Sequence, residues 1–189
     1  MNIAIDIDDT LTNSFEYFQP YVAEFFGTTV DYLREECISY GNLPPEWKAR
    51  ELEFCRKYYD KTAEFTPFKP YACEAVKKFR NAGHKIFIIT ARTTDFYTDP
   101  YETTRRELEN GGIEYDKLIC TTEKGSACEA EKISLLIDDM PKNCENALKR
   151  GMHAILFTSP ANERLETSLE RAGDWKELAG RLLNAEQNG

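Results

Sequence analysis

The chain is poor in the residues that build zinc and metal–thiolate centres. Only two histidines occur in 189 residues, and the six cysteines, at positions 37, 55, 73, 120, 128 and 144, include no Cys-x-x-Cys pair. A structural zinc site therefore lacks its ligand set. No apolar run approaches the roughly 20 residues that a membrane span needs, and no internal repeat or low-complexity segment is present. Basic residues are the minority, with 24 Lys and Arg against 33 Asp and Glu and a formal net charge of −9. That balance argues against binding to a nucleic acid polymer or an anionic membrane, while leaving room for local cations around a small phosphorylated substrate. Acidic residues begin at Asp6, so no secretory leader is read ahead of the first strand, and a cytoplasmic protein with reduced thiols is expected. An even cysteine count is also compatible with disulfides, but a chain of this size can fold without them.

Hydrophobic residues make up 41% and charged residues 30% of the chain, which suits one ordered domain with room for an inserted subdomain. Ile3, Ala4, Ile5 and Ile7 form an apolar strand run, with Asp6, Asp8 and Asp9 crowded at its C-terminal end. From about Asn13 to Thr66 the pattern turns helical. Phe15, Phe18, Val22 and Phe25 recur at helical spacing up to Gly27, and a second short helix is expected over about Asp31 to Ser39. Gly41, Asn42, Pro44 and Pro45 mark a turn, and a third helix is expected to follow through Trp47, Leu52, Cys55 and Tyr59.

From Pro70 onward helices and strands alternate. Helices are expected from Ala72 through Phe79 to a stop at Gly83, over Pro100 to Asn110, over Pro141 to Arg150 and over Asn162 to about Ala185; Glu186 to Gly189 reads as frayed. Strands are expected over Lys85–Thr90, Lys117–Cys120, Ile133–Asp138 and His153–Phe157. Near-continuous apolar strands between helices predict an α/β fold, a Rossmann-like doubly wound parallel sheet. Its core is expected to take residues 1–12 and 70–189, with a helical cap over 13–69.

Grouped carboxylates repel and are costly to desolvate, so the cluster at the end of the first strand needs a compensating cation. Ligands of open α/β sheets bind outside the carboxyl ends of the strands. There, Asp6, Asp8, Thr90, Asp138 and Asp139 are expected to converge, with Lys124 completing a phosphate site and Mg²⁺ as the cation.

These residues resemble the motifs of the haloacid dehalogenase superfamily of phosphohydrolases. Its D-x-D-x-T motif is matched by Asp6-Ile7-Asp8-Asp9-Thr10, its strand ending in Ser or Thr by Ile88-Ile89-Thr90, its lysine by Lys124, and its acidic strand end by Ile137-Asp138-Asp139. The I-T-A-R and I-D-D stretches look most like the branch of 5′-nucleotidases related to 5′(3′)-deoxyribonucleotidases. The resemblance implies that Asp6 is a nucleophile forming an aspartyl-phosphate, and that Asp8 protonates the leaving alcohol and then activates water. It implies that Mg²⁺ is held by Asp6, the Asp8 backbone carbonyl and Asp138, with Asp139 supporting that shell. It also implies that the Thr90 hydroxyl and the backbone N–H groups near it, that of Ala91 included, bind phosphoryl oxygens, and that Lys124 binds them too while neutralising Asp6. The expected activity is Mg²⁺-dependent phosphomonoester hydrolysis, most like a 5′-nucleotidase acting on (deoxy)nucleoside monophosphates. A phosphatase for a sugar phosphate or other small metabolite is the nearest alternative, and a weakly catalytic phospho-ligand-binding module is the alternative of another class.

Plainer roles compete at several positions. Lys132, on the connector before Ile133, competes with Lys124 as the site lysine. Asp138 and Asp139 also suit a helix N-cap ahead of Pro141. Asp9 reads as a solvated loop carboxylate, and Arg92 as either a substrate or cap contact or an exposed ion pair. The aromatic residues at helical spacing, with Trp47, Tyr58 and Tyr59, read first as core packing and second as a base-stacking wall. Arg105 and Arg106 read as a solvated face, and Cys120 and Cys128 as small core residues.

Overall fold

The computed structural model describes residues 1–36, 38 and 43–187. Six strands, β1 (Asn2–Ile5), β2 (Lys85–Thr90), β3 (Lys117–Cys120), β4 (Leu135–Asp138), β5 (His153–Phe157) and β6 (Arg171–Ala172), form one sheet in the order β3-β2-β1-β4-β5-β6. Every pairing is parallel. β1 lies at the centre, and the chain runs outward from it in both directions, so the crevice at its carboxyl end is the topological switch point.

The strands are apolar on both faces because helices cover both. Ile86 and Ile88 of β2 point into one cluster with Ile3, Ile5, Ile137 and Phe157, beneath α5 (Ala72–Asn81), α6 (Pro100–Asn110) and α9 (Trp175–Gln187). Phe87 and Ile89 point the other way, towards Leu136, Leu156, Cys128 and Cys144 beneath α7 (Lys124–Ala130) and α8 (Pro141–Lys149). Burying each such large side chain contributes about 1.5–3 kcal/mol relative to exposure. The C-terminal helix covers the sheet, with Trp175, Leu178 and Ala179 in the core and the Trp175 indole N–H donating to the Thr10 carbonyl at 3.0 Å.

Between β1 and α5 lies a helical insertion of α1 (Ser14–Phe26), α2 (Val30–Glu35), α3 (Pro45–Lys48), α4 (Glu51–Thr62) and a 3₁₀ turn (Ala63–Phe65). Gly27 ends α1 in the left-handed region at φ +69°, with its N–H on Ala23 O. The chain enters and leaves the insertion side by side. Thr12 bridges antiparallel to Phe68, Asn13 N donates to Pro67 O, and Lys69 N donates to Leu11 O, both at 2.8 Å.

Several expected boundaries move. The strand expected through Ile7 ends at Ile5, and that expected from Ile133 starts at Leu135. The expected third helix divides at Ala49 and Arg50 into α3 and α4. The second helix ends at Glu35, while Ser39 of its expected end and Gly41 and Asn42 of the expected turn lie outside the described residues. The helix expected from Asn162 begins only at Trp175. Residues 171 and 172 before it pair as β6 with β5, since Leu156 N donates to Glu170 O and Thr158 N to Ala172 O, both at 2.8 Å. No apolar run announced that edge strand; the open edge of β5 supplies its partner.

Candidate active site

After Asp6 the chain wraps into a tight turn, with the N–H groups of Thr10, Leu11 and Thr12 all directed at the Ile7 carbonyl. Asp9 adopts φ +57°, a left-handed conformation that aspartate tolerates better than most residues. Its carboxylate accepts the Phe15 N–H at 2.8 Å in the first turn of α1. Asp9 is thus a helix anchor rather than a solvated loop acid. Burial pushes its carboxyl up to about 6.

β1 and β4 are neighbours, so Asp6 and Asp138 meet although far apart in sequence, with Asp6 N donating to Ile137 O at 3.0 Å. Lys124, the first residue of α7, places its Nζ 2.5 Å from Asp6 Oδ1 and 2.8 Å from Asp138 Oδ2. Burial disfavours its charge, but Asp138 and Asp6 outweigh that and raise its pKa. Lys132 is exposed in the turn ahead of β4, so the lysine brought to the site is Lys124. Asp138 Oδ1 accepts the Met140 N–H at 2.8 Å and the Asn143 amide at 3.0 Å. The N-cap role expected of Asp138 or Asp139 is not formed: Met140 stands at the N-cap of α8 with no side-chain cap there, and Asp138 instead braces the residues leading into the helix.

Asp6, Asp138 and Asp139 can each offer one oxygen, all within 4.8 Å of one another. All three are buried, at 4%, 0% and 5% exposure, and Lys124 pairs with Asp6 and Asp138. Burial pushes Asp6 up to about 7 against the pull of Lys124, with Asp138 and Asp8 adding to the rise, and burial together with Asp6 and Asp138 raises Asp139 well above the carboxylate range. Such an excess of buried negative charge on oxygen donors fits a hard divalent cation. Asp139 lines the cavity with Asp6, whereas Asp138 sits behind them with both oxygens engaged. Asp139, expected to support the metal shell, thus lies at the cavity surface beside Asp6.

Asp8 occupies the adjoining wall, with its side chain 39% exposed. Its oxygens accept Arg92 Nε at 2.9 Å, Arg92 Nη2 at 2.8 Å and the Ser14 hydroxyl at 2.7 Å. Burial works against its charge, yet Arg92 and Ser14 prevail and hold the carboxyl below its usual range. Arg92 is no exposed ion pair. It is 3% exposed, and its Nη1 pairs with the fully buried Glu107. Sequence reasoning missed Glu107 and Ser14. On α6 the buried positions are Thr103, Thr104, Glu107 and Leu108, a face with no hydrophobic stripe to read. Arg105 and Arg106 flank it on the outer side and pair with Glu102, as a solvated face should.

Thr90 is 1% exposed at the end of β2 and, with Ala91, lines the same cavity of about 650 Å³. The far wall comes from the insertion. Phe15, Phe18, Val22, Phe26, Phe54 and Tyr59 line it, and Trp47 stacks on Phe26 with centroids 4.5 Å apart. Phe15, Phe18 and Val22 of the α1 stripe thus line the cavity, while Phe18, Val22 and Phe25 also pack on the buried cluster of Phe54, Cys55 and Tyr58, as core packing requires. Tyr58 is buried away from the cavity, and neither Phe25 nor Trp47 lines it. Cys128 is fully buried and Cys120 only half-buried.

Comparison with known proteins bears on the fold and the family. The chain has the fold of a predicted phosphatase from Clostridium acetobutylicum, at 17% identity over 97% of this chain and 98% of that one, with a TM-score of 0.69. It also has the fold of a haloacid dehalogenase-like family hydrolase from Streptococcus pneumoniae, at 14% identity over 96% and 97% of the two chains and a TM-score of 0.67. A third similar structure, the D,D-heptose 1,7-bisphosphate phosphatase of B. bronchiseptica complexed with magnesium and phosphate, is 10% identical over 97% and 98% with a TM-score of 0.55. None of the curated proteins matches. The profile of the family described as 5′ nucleotidase, deoxy (pyrimidine), cytosolic type C protein matches residues 1–188. With that match over nearly its whole length, the chain belongs to this nucleotidase family and is a phosphomonoesterase of the haloacid dehalogenase superfamily.

Proposed function

We propose that the protein hydrolyses nucleoside 5′-monophosphates through an aspartyl-phosphate on Asp6. The observation that carries this reading is the division of labour between two neighbouring carboxylates. Asp6 is buried against Lys124, while Asp8 is half-exposed on the cavity wall and held by Arg92 and Ser14. Asp8, which Arg92 and Ser14 hold ionised, must first take up a proton from solvent against that pull. An Asp6 oxygen then attacks phosphorus, and the bond to the leaving oxygen breaks as Asp8 delivers that proton. Asp8, now a carboxylate, takes a proton from water, whose oxygen attacks the phosphoryl group and frees Asp6. Lys124 offsets charge on Asp6 and on the transferring group, and Thr90 with the Ala91 N–H binds phosphoryl oxygens.

Asp6, Asp138, Asp139 and the Asp8 backbone carbonyl are the groups proposed to hold Mg²⁺. When bound, it offsets the charge of an anionic nucleophile meeting an anionic phosphoryl group.

The insertion supplies the substrate argument and acts in this reading as the cap. A cavity of about 650 Å³ suits a nucleotide-sized ligand. Its far wall is aromatic, which suits the face of a base. A sugar phosphate would bring many hydroxyls to that apolar wall and leave them without partners, at about 1–3 kcal/mol each. The test is turnover of the purified protein with Mg²⁺ against nucleoside monophosphates and sugar phosphates. Preferred turnover of nucleotides, abolished in Asp6→Asn, supports the reading. Preference for sugar phosphates overturns the substrate class, and full activity in Asp6→Asn overturns the mechanism.

A further inference from the structure

Arg92 does more at this site than the chemistry above assigns to it. It follows Thr90 by two residues, in the loop that leaves β2, and its side chain is 3% exposed. Its guanidinium meets the Asp8 carboxylate as a two-pronged fork, Nε on Oδ2 at 2.9 Å and Nη2 on Oδ1 at 2.8 Å. A planar fork of this kind fixes the plane and direction of a carboxylate, which a point charge does not. The other side of the guanidinium pairs with Glu107 and approaches the Thr104 hydroxyl at 3.5 Å. Its carbon lies 5.5 Å from the centroid of the Tyr97 ring.

Glu107 has no exposed side-chain surface, so no ligand reaches it. What it does is hold Arg92. The loop carrying Arg92 is also tied to the insertion. Tyr97 packs on Tyr59 of α4 at 5.1 Å between centroids, and Asp60 accepts the Thr98 N–H at 3.0 Å.

We propose that Arg92, held by Glu107 and Tyr97, is the positioning residue that aims the Asp8 carboxylate at the leaving oxygen. The proposal rests on the reading of Asp8 as the acid. Arg92 itself meets no reacting atom, because its fork is already on Asp8 and its reverse side on Glu107.

The test compares kcat/KM for two substrates. From a nucleoside 5′-monophosphate the nucleoside leaves as an alcohol and needs a proton, whereas from 4-nitrophenyl phosphate 4-nitrophenolate leaves as a stable anion and needs none. This ratio reports formation of the phosphoenzyme and is blind to its later hydrolysis. Asp8→Asn is expected to lose about 1,000-fold on the nucleotide and far less on the aryl ester, within the range of general acid catalysis. Arg92→Met is expected to follow the same pattern at about 100-fold, and Arg92→Lys, which keeps charge but not the fork, to fall between it and wild type. Glu107→Gln is expected to show the pattern at about 10-fold.

Equal losses on both substrates in the Arg92 variants, or no loss, with Asp8→Asn still selective, overturn the positioning role alone. A non-selective Asp8→Asn overturns the acid assignment beneath it. If Arg92→Met does not fold, Arg92→Lys and Glu107→Gln decide by the same criterion.

Discussion

The two walls of the cavity are built on opposite principles. The wall at the sheet edge is charged and nearly inaccessible, with Asp6, Lys124, Asp138 and Asp139 each at most 5% exposed. Its side chains hang from strand ends and helix starts whose positions the parallel ladder fixes. The wall from the insertion is aromatic and half-exposed. Phe54, Cys55 and Tyr58 form a small buried cluster behind it, and Phe18, Val22 and Phe26 pack against that cluster from the cavity side. A charged site needs rigid backing, because a displaced dipole or ion pair loses its effect over short distances. An apolar wall needs area and shape only. In the proposed reading, the contrast assigns phosphoryl chemistry to the sheet edge and choice of leaving group to the insertion.

The largest expected effect tests the sheet-edge wall. Asp6→Asn should lower kcat by at least about 1,000-fold on every phosphoester, because the nucleophile serves all substrates. A loss confined to nucleotides would break the comparison. Next is the buried pair behind the wall. Glu107→Ala leaves Arg92 partly uncompensated in a dry site and should cost about 3–5 kcal/mol of stability, read by urea unfolding.

Mg²⁺ should sharpen the picture. At about 100 times its dissociation constant it should stabilise the fold by about 2.7 kcal/mol, seen as a higher Tm, and a chelator should remove both the shift and the turnover. In Asp139→Asn that shift should shrink if the cavity-facing acid is part of the donor set.

On the insertion side the effects should be smaller and selective. Phe26→Ala removes a ring stacked on Trp47, at about 0.5–1.5 kcal/mol beyond its area term. It should raise KM for nucleotides while leaving the inhibition constant of inorganic phosphate unchanged. An equal change in both constants would show that the walls are not independent. The smallest effect is expected at Lys132→Ala, within about 0.5 kcal/mol in stability and with turnover unchanged, since Lys132 is exposed outside the cavity.

The sheet-edge wall was legible in the sequence because parallel strands buried on both faces are apolar until they end. An Asp or Thr closing such a run therefore marks the carboxyl edge, and Asp6, Thr90 and Asp138 were placed by that rule alone. Arg92 and Asp9 were not legible in the same way. Each owes its role to a partner outside its own strand pattern, Glu107 on a helix that reads as polar and the first turn of α1. The edge strand at Arg171 and Ala172 was hidden for a related reason, since two residues carry no period and only the open edge of β5 makes them a strand.

By itself, then, the sequence determined the α/β class, the sheet edge that carries the candidate site and the acids and lysine gathered there, because alternation and apolar runs are local properties. Tertiary structure alone decided that Phe15, Phe18 and Val22 of α1 line a cavity, that Asp139 shares the inner wall with Asp6, and that Arg92 reaches Asp8 across 84 residues. Those outcomes depend on which side chains share one desolvated space, and that is settled only when elements distant in the chain pack together.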